Sequence, residues 1–255
     1  MNFVTINVMT ATPSAADWIP RFLSVVIPMH NESGNVRPLI EEICTALRGQ
    51  IDHEIICVND GSTDDTAAEL RALKSEHPEL RVIHHTCACG QSTAVRSGVK
   101  AARGDWIATL DGDGQNDPAD IPKLINALEP EVALVGGNRR HMRRDVWIKR
   151  VSSIIANGVR SRILRDSTPD TGCGLKLFRR DVFLDFPYFD HMHRFLPALA
   201  QRSGWRVVSV PVNHRPRHQG VSNYGTIDRL LAGIVDLGGV FWLLRRAKRP
   251  QVIEK

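Results

Sequence analysis

Apolar and polar positions along the first half of the chain follow a repeating pattern. Short apolar runs at Phe22–Ile27, Glu54–Val58, Arg81–His84, Trp106–Leu110 and Val132–Val135 are too short for helices, and most give way to polar loops. Between them lie amphipathic stretches of helical length. One spans 35–48 and stops at Gly49, and two more span 64–74 and 93–102. A fourth reaches Leu128 from a cap at Asp117 or Asp120. Ser62 and Thr63 are candidate caps for the 64–74 helix. Strand and helix in regular alternation predict an α/β fold, a mostly parallel sheet with helices on both faces.

After Gly137 the pattern changes. Arg139, Arg140, Arg143, Arg144, Lys149 and Arg150 surround Trp147, and an amphipathic helix is expected over 146–164. A tight turn at Thr171–Leu175 enters a further strand, followed by a helix over 195–203, a strand over 206–212 and a basic loop over 214–225. The stretch Ile227–Leu244 is dense in large apolar residues. Its polar or small positions, Arg229, Gly233, Asp236 and Gly239, recur at helical spacing, and Arg245, Arg246, Lys248 and Arg249 follow. Two readings stay open for it: a helix packed on the sheet, or an interfacial helix lying on a membrane. Asp236 and the Gly238–Gly239 pair count against a spanning helix. The chain therefore divides into a flexible leader (1–20), one α/β domain (21–225) and a C-terminal amphipathic segment (226–255).

Composition changes this picture little. A net charge of +5 suits an anionic partner such as a nucleotide or an acidic membrane surface. Five cysteines with no Cys-x-x-Cys pair argue for a reducing compartment and against a zinc motif or disulfide framework. No basic residue precedes Arg21, so a signal peptide is not expected.

The candidate chemistry lies in Asp111-Gly-Asp-Gly-Gln115, at the end of the fourth apolar run. Two glycines allow a sharp turn, and Asp111, Asp113 and Gln115 can turn oxygens toward one point, where a hard cation such as Mg2+ or Mn2+ binds together with substrate phosphates. A plain polar turn remains the alternative, since Asp-Gly is a common turn dipeptide. A calcium loop of the EF-hand kind is excluded by spacing, because its sixth position is Asn116 and its twelfth Pro122. Glu32 and Asp60 close two other strands, so the three loops should line one cleft at the carboxyl edge. No Gly-x-Gly-x-x-Gly or Gly-x-x-x-x-Gly-Lys-Ser/Thr follows a strand, which disfavours dinucleotide and P-loop enzymes. The basic cluster after Val135 reads either as a solvated face or as a phosphate grip.

Val-Val-Ile-Pro-Met-His-Asn-Glu32, Val-Asn-Asp-Gly-Ser-Thr-Asp64 and Asp-Gly-Asp-Gly-Gln115, in this order, resemble a family-2 glycosyltransferase with the Rossmann-like GT-A fold. Gly-Cys-Gly-Leu-Lys-Leu-Phe-Arg-Arg180, His193-Arg-Phe195 and Arg217-x-x-Gly-x-Ser-x-Tyr224 make the resemblance closer to the dolichol- or polyprenyl-phosphate sugar synthases. It covers about 22–225. Carried over residue by residue, it implies that Pro28, Asn31, Glu32 and Asp60, with Asp111, bind the nucleotide of a nucleoside-diphosphate sugar. It implies a divalent metal on Asp111, Asp113 and Gln115, with Asp113 and Arg217 as the catalytic pair. Arg139, Arg150 and Ser153 fall near the positions that grip the phosphate of a polyprenyl acceptor. The expected reaction is metal-dependent and inverting, on the cytoplasmic face of a membrane, with an integral-membrane partner and no nucleic acid. Alternatives are a family-2 enzyme acting on a glycan or small-molecule hydroxyl, and an inactive nucleotide-sugar-binding partner of a membrane complex. The chain departs from the synthases at His30, where they often carry Tyr, and in showing no long apolar extension.

Overall fold

The computed structural model describes residues 19–139, 160–164, 166, 168–216, 226–246 and 248. The apolar runs become strands β1 Phe22–Met29, β2 Asp52–Asp60, β3 Leu80–His85, β4 Trp106–Thr109 and β5 Val132–Asn138, followed by β6 Lys176–Arg179 and β7 Arg206–Pro211. The amphipathic stretches become α1 Val36–Leu47, α2 Thr66–Leu73, α3 Gln91–Ala101 and α4 Ile121–Asn126. Three further helices follow: α5 Arg180–Leu184, α6 Leu196–Arg202 and α7 Thr226–Arg246. Of the expected 146–164 helix only 160–164 falls within the described residues, and it is helical. The leader lies outside them apart from residues 19 and 20.

The strands form one seven-stranded sheet in the order β3-β2-β1-β4-β6-β5-β7. Every neighbouring pair is parallel except those made by β6, which runs antiparallel to both β4 and β5. The fold is thus the expected α/β sandwich with one strand reversed. Alternate residues of the central strands face opposite layers, as a period of two requires. Val25, Ile27, Ile55 and Cys57 join the helical layer of α1, α2 and α4, whereas Val26, Ile56 and Val58 pack with Val95 and Val99 of α3 and Leu199 of α6.

Of the two candidate caps before α4, Asp117 is the one used. Its carboxylate accepts the Ala119 N–H at 3.0 Å and opens a 3-10 turn, Pro118–Asp120. Ser62 and Thr63, in contrast, do not cap α2. Ser62 Oγ accepts the Asn31 N–H and the Thr63 N–H donates to Asn31 Oδ1, while Asp64 takes the N–H of Thr66. The loop after β2 is tied to the loop after β1, and this long-range pairing displaces the local one.

Helix α7 packs along one side, as the first reading of the C-terminal segment expects, and leaves the other side exposed. Val240 is buried, and with Leu237 and Leu244 it packs on Leu164, Phe195 and Ala198. Asp236, which interrupts the apolar pattern, meets His191 Nδ1 at 2.9 Å. The other side leaves Ile234 60%, Val235 74% and Trp242 58% exposed. Among the described residues no helix is long and apolar enough to cross a membrane.

Candidate active site

The carboxyl ends of β1, β2, β4 and β5 meet along one edge of the sheet. Because β6 is reversed, its first residue comes to the same edge, with Lys176 paired to Thr109 of β4 and Gly136 of β5. The turn 172–175 is thereby laid over the loop that follows β4. A pocket opens there, lined among others by Pro28, Gln91, Asp111, Gly174, Lys176 and His193.

Asp111 is at its centre. One carboxylate oxygen accepts Gln91 Nε2 at 2.8 Å, from the first turn of α3, and its backbone N–H donates to Asn116 Oδ1 at 3.0 Å. A Cβ at Gly174 would stand 2.2 Å from Asp111 Oδ2, so only glycine lets the turn close over the carboxylate. Asp113 is buried, and its Oδ1 accepts the Gln115 N–H at 3.1 Å across Gly114, whose φ of 71° reverses the chain. Burial and the charge of Asp113 push the Asp111 carboxyl above its ordinary range, against the opposing pull of Lys176 and Arg139. A carboxylate whose charge is disfavoured by burial and by a neighbouring carboxylate in a shielded loop fits a hard divalent cation. Asp111, Asp113 and Gln115 all offer oxygen, the donor type such a cation prefers.

Lys176 is buried and donates to the Cys173 carbonyl, and burial pushes its ammonium below the usual lysine range. His193 is held neutral: burial, with Lys176 and Arg194 nearby, drops it well below its ordinary value. Ser92 Oγ bonds its Nδ1 at 2.7 Å and accepts its N–H at 3.3 Å.

The other expected residues divide into three groups. Pro28 lines the pocket with Asp111, and the Glu32 side chain passes beside Gly112, where a Cβ would meet its Cγ at 3.2 Å. Asn31 takes a left-handed conformation, φ 56°, and joins the loops after β1 and β2 through Thr63. Asp60 does not line this pocket; its carboxylate accepts His85 Nδ1 and the N–H groups of Cys89 and Gly90 at 2.7, 2.9 and 2.8 Å. It thereby sets the start of α3, and with it Gln91. Arg139 is 8% exposed and makes a two-pronged bond to Asp170, Nε to Oδ2 at 2.8 Å and a terminal nitrogen to Oδ1 at 3.0 Å. Arg150, Ser153 and Arg217 lie outside the described residues.

Residues 24–186, more than half of the chain, match Glycosyl transferase family 2. The chain belongs to this family. Among its relatives are the dodecaprenyl-phosphate galacturonate synthase of Rhizobium johnstonii and an undecaprenyl-phosphate 4-deoxy-4-formamido-L-arabinose transferase of Edwardsiella ictaluri. The first is 36% identical over 89% of this chain and 69% of its own, and the second 34% identical over 80% and 63%. The chain thus spans about two thirds of either relative. Glucosyl-3-phosphoglycerate synthase of Mycobacterium tuberculosis, solved with Mn2+, UDP and product, superposes with a TM-score of 0.65 at 21% identity, covering 88% of this chain and 80% of that one. A mannosyltransferase of Pyrobaculum calidifontis, solved with GDP-mannose and Mn2+, gives 0.62 at 21% identity over 91% and 66%. At that identity the likeness establishes the shared fold.

The sequence pattern of this glycosyltransferase assigns no role to Gln91, Lys176 or His193. It also hides a latch from the far end of the chain. The Arg215 N–H donates to the Gln115 carbonyl at 3.0 Å, and its guanidinium joins Asp117 at 2.7 Å and Glu42 at 2.6 Å. Asn213 adds a bond from Nδ2 to Asp117 at 3.1 Å and one from its N–H to Asp120 at 2.6 Å. The chain is thus clamped to the Asp111–Gln115 turn just before Arg217. Charge alternation between Asp117, Asp120 and Arg215 was the available signal, but the partners lie about 95 residues apart.

Proposed function

We propose that this glycosyltransferase moves a sugar from a nucleoside-diphosphate donor to polyprenyl phosphate, using a divalent metal and inverting the anomeric carbon. The observation that carries this reading is the convergence of Asp111 with Gln91 and Lys176 at one pocket, with Asp113 buried two residues further along the same turn. The named acceptors of the two relatives point the same way. Asp111, Asp113 and Gln115 would hold Mg2+ or Mn2+, which when bound supplies Lewis-acid stabilisation of the departing diphosphate.

The chain's own residues do the rest. Pro28, Asn31, Glu32 and Asp60 border the donor side, Asp60 by fixing the loop into α3. Gln91 and the bare Gly174 backbone hold Asp111 in one orientation, so that little reorganisation is needed when charge develops. Lys176 places its amino group beneath the pocket. A phosphate monoester has a second pKa of about 6 and is largely anionic at pH 7, so it attacks without a general base. Burial lowers the basicity of His193 and Ser92 occupies its Nδ1, which suits a reaction that needs no general base. Arg150 and Ser153 grip the acceptor phosphate, and Arg217 closes over the donor. Arg139 joins the grip only by exchanging Asp170 for phosphate.

The exposed apolar face of α7 and Arg245 and Arg246 at its end favour work on the inner face of a membrane, beside an integral-membrane partner. The test uses purified protein, a panel of radiolabelled nucleotide sugars and undecaprenyl phosphate, with and without EDTA. An organic-soluble labelled product that EDTA abolishes is expected. A water-soluble product would mean a hydroxyl acceptor, and no turnover with any donor an inactive binding partner.

A further inference from the structure

At the opposite, amino-terminal edge of the sheet, four side chains from three elements meet: Cys44 of α1, His53 of β2, and His77 and Glu79 just before β3. Cys44 Sγ is 3.6 Å from His77 Nδ1 and 2.9 Å from Glu79 Oε1, and His77 Nδ1 is 3.4 Å from Glu79 Oε1. A ring nitrogen of His53 completes the group, within 4.8 Å of the donor atoms of Cys44 and Glu79. Cys44 is 6% exposed, whereas the His77 and Glu79 side chains keep 18% and 26%, so the group is shielded yet reachable from solvent.

We propose that Cys44, His53, His77 and Glu79 bind one zinc ion, which clamps α1, β2 and the α2–β3 connection together. Zinc–sulfur bonds of about 2.3 Å and zinc–nitrogen or zinc–oxygen bonds of about 2.0–2.2 Å at tetrahedral angles place ligand atoms roughly 3.3–3.6 Å apart. Two of the three measured separations already have those values. The third, Cys44 to Glu79, is a thiol hydrogen bond that opens by a few tenths of an ångström when the metal replaces the thiol proton, which leaves to solvent. His53 provides an independent observation. Its Nδ1 donates to the Ile51 carbonyl at 3.1 Å, which fixes the tautomer with the lone pair on Nε2. That Nε2 is buried and has no hydrogen-bond partner. A backbone carbonyl on one ring nitrogen and a vacant lone pair on the other is the usual support of a metal-bound histidine. The backbone is equally settled. The His77 N–H and C=O pair with Leu73 and Leu80, and the Glu79 carbonyl accepts the Ile55 N–H at 2.9 Å. A thiolate, two imidazoles and a carboxylate form a closed four-ligand set suited to zinc, whereas the all-oxygen loop at Asp111 suits Mg2+ or Mn2+.

Cobalt substitution tests this on the full chain, with excess Mg2+ covering oxygen-only sites. One equivalent of Co2+ should give a sulfur-to-cobalt charge-transfer band and tetrahedral d–d bands, displaced by one equivalent of Zn2+. Cys44→Ser should abolish the charge-transfer band, and Cys87→Ser with Cys89→Ser should keep it. His53→Gln should weaken Co2+ binding more than roughly 100-fold, beyond what loss of an outer-shell partner costs. In the wild-type protein zinc should also shield Cys44 from alkylation, read by peptide mapping, which needs no variant that might misfold. A missing band, a band that survives Cys44→Ser, or alkylation of Cys44 indifferent to zinc each overturns the site.

Discussion

Gly174→Ala probes the pocket with a single methyl group. The added Cβ would lie 2.2 Å from Asp111 Oδ2, 2.3 Å from its Cγ and 2.5 Å from its Oδ1, whereas ordinary contacts begin near 3.4 Å. The carboxylate must therefore retreat by about 1 Å, a displacement that can cost on the order of 100-fold in rate. A factor of 100 corresponds to about 2.7 kcal/mol of transition-state stabilisation. The obstructing atoms are the end of a side chain, so Asp111 can rotate away at the expense of its Gln91 bond while the backbone stays in place. Overpacking should then cost roughly 1–3 kcal/mol of stability and leave the protein folded. Initial rates with donor and undecaprenyl phosphate, a metal titration and urea unfolding separate the two effects. The expected variant is folded, at least about 100-fold slower, and half-saturates at higher metal concentration. A folded variant within about threefold of wild type, with unchanged metal dependence, would refute the placement of Asp111 as a metal-holding group.

Asp113→Ala should lower turnover by a factor on the order of 10^3 with an unchanged far-UV spectrum; near-normal, metal-dependent rates would remove Asp113 from the site. Burial would raise the Glu54 carboxyl, but bonds from the Arg103 N–H, Arg81 and Ser24 outweigh it and hold the group below its ordinary value. Its contribution is therefore present above about pH 4.3 and lost as pH falls through the folded value. Glu54→Gln should cost about 3 kcal/mol at pH 7 and flatten the acid limb of a stability–pH curve, measured by urea unfolding. Val235→Ser with Trp242→Ser on the exposed side of α7 should reduce sedimentation with anionic liposomes while leaving the melting temperature nearly unchanged; undiminished sedimentation would place the membrane contact elsewhere.

Much of this fold was legible because its signals are local. The runs at Phe22, Glu54 and Trp106 and the helix closing at Gly49 came out within two residues of expectation. The Asp111–Gln115 turn was legible for the same reason, since a strand, two glycines and three oxygen donors are adjacent in the chain. What escaped depended on direction and distance. Leu175–Phe178 reads as a strand either way, and nothing in its pattern says that it enters the sheet reversed and delivers Lys176 to the site. Arg139 reads as a free phosphate grip until Asp170, about 31 residues later, is seen to occupy it. Nothing near Asp60 in the chain shows that its oxygens also hold His85 and the N–H groups of Cys89 and Gly90. Ser62 and Thr63 satisfy a capping pattern, but an asparagine about 30 residues upstream competes successfully for both.

The reversed strand also imposes an order on assembly. β1, β2 and β3 pair from neighbouring chain segments, whereas β4 joins β1 across 83 residues, from Leu23 to Trp106. β6 must then slip between β4 and β5, closing a loop of about 65 residues from Thr109 to Gly174. Such long-range closure is slow compared with local pairing. A chain caught before this closure lacks Gly174 and Lys176 at the pocket, and so has no turn closed over Asp111. Recovery of activity during refolding should therefore follow the docking of β6 rather than the amount of secondary structure, which parallel activity and far-UV traces would show.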